Sequence, residues 1–320
     1  MVVANQQQGG KSLLTESKEL AERLQPGAEL GRYVVRQMIG IGSMGVVCRA
    51  EDLANGEEAA LKALLPARGR RLPETLSRFH VQAALLSGLH HESVVEIQDI
   101  GWQDDICFLV MPLVAGPEEE PVSLGEYADW FGGVVPPGEL LEIFGILLSA
   151  FAHFHDHKIV HGNMKPHNVL LNCVSRDSNL WQAKVMVTDF GLSRILGTDF
   201  IVESVRKSVR TYDVRATSGQ HQPLPPDAKA LLQTYDYMSP EQRKGKGASR
   251  RSDIFSLGMM FLHLLTGKTV IGFEPPSRIC PGIDSAWDDF ILKATNQERT
   301  QRFINIHEMQ DAFEQLSVKG

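Results

Sequence analysis

The sequence predicts an α+β protein in which short strands come first and helices follow. From Tyr33 onward, apolar and β-branched residues form short runs that are separated by glycine turns. From Pro137 onward, apolar residues recur at the three- and four-residue intervals of helices. The chain of 320 residues is 43% hydrophobic and 22% charged, which is ordinary for a globular protein. It is long enough for one large lobe or two smaller ones.

Composition argues against several classes of protein. The formal net charge of −7 disfavours general nucleic-acid binding. The N-terminal residues lack the basic and apolar regions of a signal peptide, and no apolar run reaches the roughly 18–20 residues of a membrane span. The cysteines are scattered, so we expect reduced thiols rather than disulfides or a metal site; they are Cys48, Cys107, Cys173 and Cys280. We therefore expect a soluble cytoplasmic protein whose oligomeric state the sequence leaves open.

Residues 1–29 form a predicted N-terminal extension. A short helix is expected from Lys11 to Gln25, closed by Pro26-Gly27. Its partial apolar stripe favours a helix packed on the outside of the fold, with a partner-docking helix as the alternative. The stripe consists of Leu13, Leu14, Leu20 and Leu24.

The glycine motif from Gly40 to Gly45, GIGSMG, lies between two predicted strands. A motif of this kind also occurs in dinucleotide sites, where a helix begins directly after the last glycine. Here Val46 to Ala50 continue as a strand, and Asn55-Gly56 then marks a hairpin turn. The motif therefore predicts a hairpin that passes over phosphates and offers them backbone N–H groups.

Two polar side chains follow in otherwise apolar elements. Lys62 lies in the predicted strand Glu57 to Leu64 and is expected to contact phosphate, with a solvated surface lysine as the alternative. A helix is expected from Pro73 to Gly88, and its spacing directs Gln82 inward. The inward face of that helix comprises Leu76, Phe79, Ala83 and Leu86.

The most informative stretch is IVHGNMKPHNVLL, from Ile159 to Leu171, followed by TDFGL from Thr188. This order of His, Lys and Asn, with the later D-F-G, places an ammonium and an amide oxygen around nucleotide phosphates and adds a carboxylate for Mg²⁺. The stretch resembles the catalytic loop of protein kinases, His-Arg-Asp-Leu-Lys-Pro-x-Asn. Two positions depart from that pattern, because Gly162 replaces the arginine and Asn163 replaces the catalytic aspartate.

The resemblance covers about Tyr33 to Leu316, with the motifs in family order. YMSPEQ and SDIFSLG are most similar to bacterial eukaryotic-like Ser/Thr kinases. The resemblance implies a bilobal protein kinase fold over residues 30–318. The small lobe, residues 30–113, would be an antiparallel β lobe with one helix, and the large lobe, residues 114–318, would be mainly helical.

The resemblance also implies roles for individual residues, with ATP and Mg²⁺ as ligands. The phosphates would be held by Gly40, Gly42, Gly45, Lys62 and Lys165. The adenine would contact Val47, Ala60, Leu170 and the hinge residues Met111, Pro112 and Val114. Mg²⁺ would bind Asn168 and Asp189. Pro112 lacks an N–H, but the hinge contact there uses its carbonyl. Thr234 would lie close to the reacting centre with Asn163, and the structural residues would be Gln82, His161, Glu241, Asp253 and Arg302. Among these, the resemblance implies that Asp253 braces the backbone of the catalytic loop and that Arg302 pairs with Glu241.

The departures from the family pattern bear on activity. Asn163 cannot take a proton from an acceptor hydroxyl, and Gln82 replaces the glutamate that pairs with the strand lysine. Gly162 removes the usual partner of a phosphorylated activation loop, so phosphorylation at Ser204, Ser208 or Thr211 would not switch the site by that pairing. We therefore predict a Mg-ATP-binding pseudokinase, or a strongly impaired kinase, that acts in signalling on a protein substrate or a regulated protein partner.

Three alternatives remain open from the sequence. The chain could be a slow but active Ser/Thr protein kinase that transfers the γ-phosphate of ATP to protein hydroxyls. It could instead be a kinase fold repurposed for another reaction, such as nucleotidyl transfer. It could also be an interaction module that binds no nucleotide. The purpose of the long segment from Leu192 to Tyr237 is not evident from its residues.

Overall fold

The small lobe is built on one antiparallel sheet. The computed structural model describes residues 13–42, 44–64, 79, 81, 88, 90–114, 122–172, 184–190, 192, 234–269 and 274–318. The sheet contains six strands in the order β1-β2-β3-β4-β6-β5. Their bounds are β1 Glu29–Leu30, β2 Tyr33–Gly42, β3 Gly45–Asp52, β4 Glu58–Leu64, β5 Asp99–Gln103 and β6 Ile106–Pro112.

The two predicted hairpins of this lobe are confirmed. Gly42 pairs with Gly45, so the chain reverses between β2 and β3 over the two residues that separate them. The turn between β3 and β4 contains Gly56, whose φ of 75° lies in the left-handed region that glycine adopts without strain. These hairpins place β3 and β4 side by side, with Val47 opposite Lys62.

Helix α1, Leu13–Arg23, packs on the outer surface of the small lobe, as the apolar stripe predicted. Leu20, Ala21 and Leu24 are buried in the same apolar cluster as the sheet residues. Arg23 forms an ion pair with Asp105 in the turn between β5 and β6, with 2.7 Å between Nη2 and Oδ1. The segment before the kinase-like region is therefore part of the small lobe's packing.

The large lobe consists mainly of helices around one apolar core. Its helices are α2 Leu124–Trp130, α3 Pro137–Asp156, α4 Pro240–Arg243, α5 Arg250–Thr266, α6 Pro276–Ile279, α7 Ser285–Ala294 and α8 Ile306–Phe313. Three short strands, β7 Val122–Ser123, β8 Val169–Asn172 and β9 Lys184–Val187, form a second sheet in the order β7-β8-β9. This sheet and a 3₁₀ turn, Pro166–Asn168, position the segments that line the cleft between the lobes.

Helices α3 and α5 form the centre of this core. Phe144 and Phe261 pack edge to face, with 4.6 Å between ring centroids. Helix α5 is buried around most of its circumference, which explains its apolar residues on every side. By length and composition, α3 is apolar enough to cross a membrane, but half of its most apolar stretch is buried inside the protein. Helices in the core of a folded domain can be equally long and apolar, so the composition of α3 is weak evidence for a membrane span.

Several sequence predictions fall outside the described residues. The helix expected from Pro73 to Gly88 is described only at isolated positions, and Gln82 is not among them. The segment from 193 to 233 also lies outside, together with its three candidate phosphorylation sites and Cys173. The remaining cysteines, Cys48, Cys107 and Cys280, are free thiols, the first two of them buried.

Candidate nucleotide-binding site

A cavity of about 300 Å³ lies between the two lobes. It brings together residues from the glycine hairpin, β4, the segment after β6, the catalytic-loop stretch and the D-F-G segment. The predicted site residues that line it are Gly40, Gly42, Val47, Ala60, Lys62, Met111, Pro112, Val114, Asn163, Lys165, Asn168, Leu170 and Asp189. Residues that were not predicted also line it, namely Ile39, Ile41, Met44, Val95, Leu113, His167 and Thr188.

Lys62 and Asp189 form an ion pair at the inner end of this cavity. The distance between Lys62 Nζ and Asp189 Oδ2 is 2.5 Å, and each side chain is only 8% exposed. Burial alone would raise the pKa of Asp189, but the ammonium of Lys62 outweighs that effect and holds the pKa below its usual value. Asp189 is therefore ionised at neutral pH. Its φ of 69° is unusual for a residue other than glycine, which shows how closely its backbone is constrained.

Asp253, at the start of α5, organises the backbone of the catalytic-loop stretch. Its buried carboxylate accepts hydrogen bonds from the backbone N–H groups of His161 and Gly162 at 2.9 and 2.8 Å. A third bond comes from Nε2 of His155 at 2.9 Å. Gly162 has a φ of 75°, a left-handed conformation that glycine adopts at little cost. The geometry agrees with the bracing role that the resemblance implied for Asp253.

Asn163 and Asn168 are joined by one hydrogen bond. The side-chain nitrogen Nδ2 of Asn168 donates to the backbone carbonyl of Asn163 at 2.8 Å. This bond uses the amide nitrogen of Asn168, so its Oδ1 atom is the one that can coordinate a cation. Asn163 also donates its backbone N–H to Nδ1 of His161 at 3.3 Å. The position of Asn163 is thus fixed by backbone contacts that do not involve its own side chain.

Lys165 brings a second buried cation to the cavity. Its Nζ donates to Oγ1 of Thr234 at 3.1 Å, so Thr234 contacts the site through this lysine although it does not line the cavity. Burial lowers the pKa of Lys165 to about 8, and nearby Asp189 and Lys62 act on it in opposite directions. Lys165 is therefore mostly protonated at neutral pH and loses its charge at mildly alkaline pH.

The segment that ends in S-P-E is attached to the rest of the large lobe by a buried ion pair. The guanidinium of Arg302 donates to both carboxylate oxygens of Glu241 at 2.8 Å, and the Arg302 side chain is fully buried. Burial would raise the pKa of Glu241, but the bonds from Arg302 lower it to about 2. The pairing agrees with the one that the resemblance implied.

Gln242 is a positioning residue that the sequence reasoning missed. Its Nε2 donates to the carbonyl of Gly162 at 2.8 Å, which links the S-P-E segment to the catalytic-loop stretch. The same side chain completes a capping box with Ser239. The pattern Ser-x-x-Gln at the start of a short helix was the signal that would have identified it.

Gly45 differs from the other glycines of the hairpin. It does not line the cavity, and a Cβ atom there would lie 1.9 Å from the carbonyl oxygen of Ala63 on β4. Gly40, in contrast, has nothing within 4 Å of such an atom. Close packing of β3 against β4, rather than space for a ligand, therefore requires glycine at this position.

Comparisons with known proteins agree with this geometry. The family model for the protein kinase domain matches residues 33–302. The serine/threonine-protein kinase PrkC of Bacillus subtilis is 30% identical over 295 residues, which cover 88% of this chain and 40% of that protein. The serine/threonine-protein kinase Pkn1 of Myxococcus xanthus is 26% identical over 303 residues, which cover 90% of this chain and 38% of that protein.

The fold is also that of a solved kinase domain. The crystal structure of the Mycobacterium tuberculosis PknI kinase domain matches with a TM-score of 0.63 and 22% identity, covering 91% of this chain and 98% of the other. The chain spans about 40% of the length of the curated relatives named above. From the family match and the PrkC similarity together, the chain belongs to the protein kinase domain family and is of the bacterial, eukaryotic-like Ser/Thr type.

Proposed function

We propose that this chain is a nucleotide-binding pseudokinase, which holds Mg-ATP between its lobes and transfers phosphate poorly or not at all. One observation carries the proposal. Lys62, Asn168 and Asp189 line a single cavity, and Asn163 lies beside them at the position where the resemblance to the family motif expects the catalytic aspartate. The chain thus combines groups suited to a magnesium–nucleotide complex with a side chain that cannot act as a base.

The donor set suits Mg²⁺. Mg²⁺ prefers oxygen ligands, and the site offers the ionised carboxylate of Asp189 and the amide oxygen of Asn168. When bound, the ion would neutralise phosphate charge. Lys62 and Lys165 would add positive charge around the phosphates, while Val47, Ala60 and Leu170 would supply apolar walls for the base.

Asn163 limits the chemistry rather than the binding. An amide has no useful basicity at neutral pH, and a general base typically contributes about 10²–10⁴-fold to rate. Phosphoryl transfer depends mainly on positioning and charge neutralisation, so loss of the base slows the reaction more than it prevents binding. The function that remains is conformational: ATP would stabilise one arrangement of the two lobes for a protein partner in signalling.

The test of the proposal is the thermal stability of the protein with and without Mg-ATP. Wild type should be stabilised, by about 2.7 kcal/mol at 100 times the dissociation constant. Lys62→Ala and Asp189→Ala should lose this stabilisation, whereas Lys268→Ala, at an exposed lysine, should keep it. Absence of a Mg-ATP shift in wild type would reject nucleotide binding and support the interaction-module alternative.

A slow but active Ser/Thr kinase is the second candidate, because the Asn163 backbone is held by His161 and Asn168 and its side chain could still orient an acceptor hydroxyl. Because His161 and Asn168 hold that backbone, an aspartate in its place would inherit the same position. Asn163→Asp should then raise transfer from radiolabelled ATP to a generic protein by about 10²–10⁴-fold, with Asp189→Ala as the inactive control. Robust turnover by wild type that Asn163→Asp does not change would reject the pseudokinase proposal.

Mass spectrometry of the incubated protein separates the remaining alternative. A phosphate adduct indicates kinase activity, and a nucleotide adduct indicates nucleotidyl transfer. We expect neither on wild type over a time in which Asn163→Asp acquires phosphate.

A further inference from the structure

The tip of the glycine hairpin is folded into the cleft. Met44 lies in the turn and is only 2% exposed, whereas Ile39 and Ile41 on the preceding strand are 40% and 43% exposed. Hairpin tips usually lie on the surface, so the burial of a large apolar side chain here needs a partner. The apolar cluster that contains Met44 extends into the large lobe through Leu192 and Met238.

The polar partner of Met44 is Asn163. The amide nitrogen Nδ2 of Asn163 donates to the Sδ atom of Met44 at 3.7 Å, and both groups are buried. A thioether sulfur is a weak acceptor and cannot donate. An ionised aspartate has no N–H group, so the residue that replaces the catalytic base is also the one that can make this contact.

The outer side of the hairpin is held as well. The hydroxyl of Ser17 on α1 donates to the carbonyl of Gly42 at 3.3 Å, and Ser17 is buried. The hairpin is therefore fixed between α1 above it and Asn163 below it. A cavity of about 300 Å³ nevertheless remains beneath the strands. The contact thus closes the end of the cleft at Asn163 and leaves room for a nucleotide.

We propose that the contact between Met44 and Asn163 is a latch that joins the glycine hairpin to the catalytic-loop stretch across the cleft. It holds the glycine hairpin over the place where an acceptor hydroxyl would approach a bound nucleotide, and Asn163 acts as a latch residue instead of a base. The location of the acceptor rests on the proposed function. The latch itself is a property of the protein without nucleotide, and it follows from the burial of Met44 and its contact across the cleft.

The experiment is oxidation of the protein by hydrogen peroxide in the absence of nucleotide, with mass spectrometry of each methionine. The chain contains its own references, because Met260 is fully buried and Met38 is partly exposed on β2. In wild type, Met44 should react as slowly as Met260. Asn163→Leu and Asn163→Asp should each speed oxidation of Met44 by about twofold, the lower end of the net effect of one lost hydrogen bond, because the acceptor is a thioether sulfur.

Gln37→Leu is the matched control, since it removes an exposed amide from β2 and should leave oxidation of Met44 unchanged. Asn163→Asp keeps the shape of the side chain and guards against misfolding of the leucine variant. The latch is rejected if Met44 reacts at the rate of Met38 in wild type, or if neither variant at position 163 changes its rate. Because no nucleotide is present, either result leaves the Mg-ATP proposal standing, and failure of the Mg-ATP thermal shift leaves this measurement valid.

Discussion

The buried pair of Lys62 and Asp189 gives a quantitative prediction about stability. Lys62→Met removes the ammonium and leaves a carboxylate that is 8% exposed without its partner. Breaking a buried pair in this way typically costs about 3–5 kcal/mol. The loss should fall near the lower limit, because Asp189 can take up a proton once Lys62 no longer lowers its pKa.

Asp189→Asn should cost more than Lys62→Met. It leaves two buried lysines, Lys62 and Lys165, which repel each other and have lost the anion between them. We therefore expect a loss near the upper end of about 3–5 kcal/mol. The double variant has no buried charge left from the pair. Its loss of unfolding free energy should therefore be smaller than the sum of the two single losses by about 1–3 kcal/mol.

The assay is urea unfolding without nucleotide at pH 7, followed by tryptophan fluorescence. Lys293→Met is the control, because Lys293 forms a pair with Glu308 of similar length, 2.7 Å, at a largely exposed site. That variant should lose less than about 1 kcal/mol. If each single variant loses less than about 1 kcal/mol of unfolding free energy, and the two losses simply add in the double variant, then Lys62 and Asp189 do not form this pair in solution.

The pair also predicts a dependence on pH. The pKa of Asp189 is lower in the folded protein than in the unfolded chain, where it is about 3.9. Its contribution to stability is therefore complete above the unfolded value and is lost as the pH falls through the folded value. Wild type and Lys62→Met should differ most in unfolding free energy near neutral pH, and the difference should narrow in acid.

Three further predictions concern other parts of the fold. Arg302→Leu should lower the free energy of unfolding in urea at pH 7 by about 3–5 kcal/mol. In wild type, the contribution of the pair of Arg302 and Glu241 to that free energy should be lost as the pH falls from about 4.5 toward the Glu241 pKa of about 2. Titration with a fluorescent ATP analogue should show affinity falling above pH 8 as Lys165 loses its proton, by up to about tenfold per pH unit, and Lys165→Met should abolish this slope. Gly45→Ala should cost more than about 1 kcal/mol because its Cβ would meet a strand carbonyl, whereas Gly40→Ala, with open space, should have less effect on thermal stability.

Local patterns were sufficient to predict most elements. The hairpin from β2 to β3 followed from glycines between β-branched runs, and helix α3 followed from its apolar stripe. The ends of elements were less accurate. Helix α1 ends at Arg23 rather than at Gln25, because the residue before Pro26 is biased toward extended backbone.

The contacts between distant residues were harder to predict. Motif order predicted that Lys62 and Asp189 would share a cleft, but not that they would pair directly across 127 residues. The position of Met44 depends on how deeply the hairpin folds between the lobes, and the periodicity of the sequence does not indicate that depth. The pairing of Glu241 with Arg302 came from the resemblance alone, since nothing in the spacing of two residues 61 apart indicates a contact.

The cost of burying charge bears on what this cleft is for. A buried ion pair is often no more stabilising than apolar residues of the same volume, so stability alone does not explain a lysine and a carboxylate at the inner end of the cavity. Lys165 adds a second desolvated ammonium and increases the cost. A ligand that carries both negative charge and a divalent cation would satisfy all three groups at once. Under the proposed function, Asn163 would avoid a further buried charge while keeping the shape of the aspartate that the family motif has there, so the binding groups would stay in place without the proton acceptor.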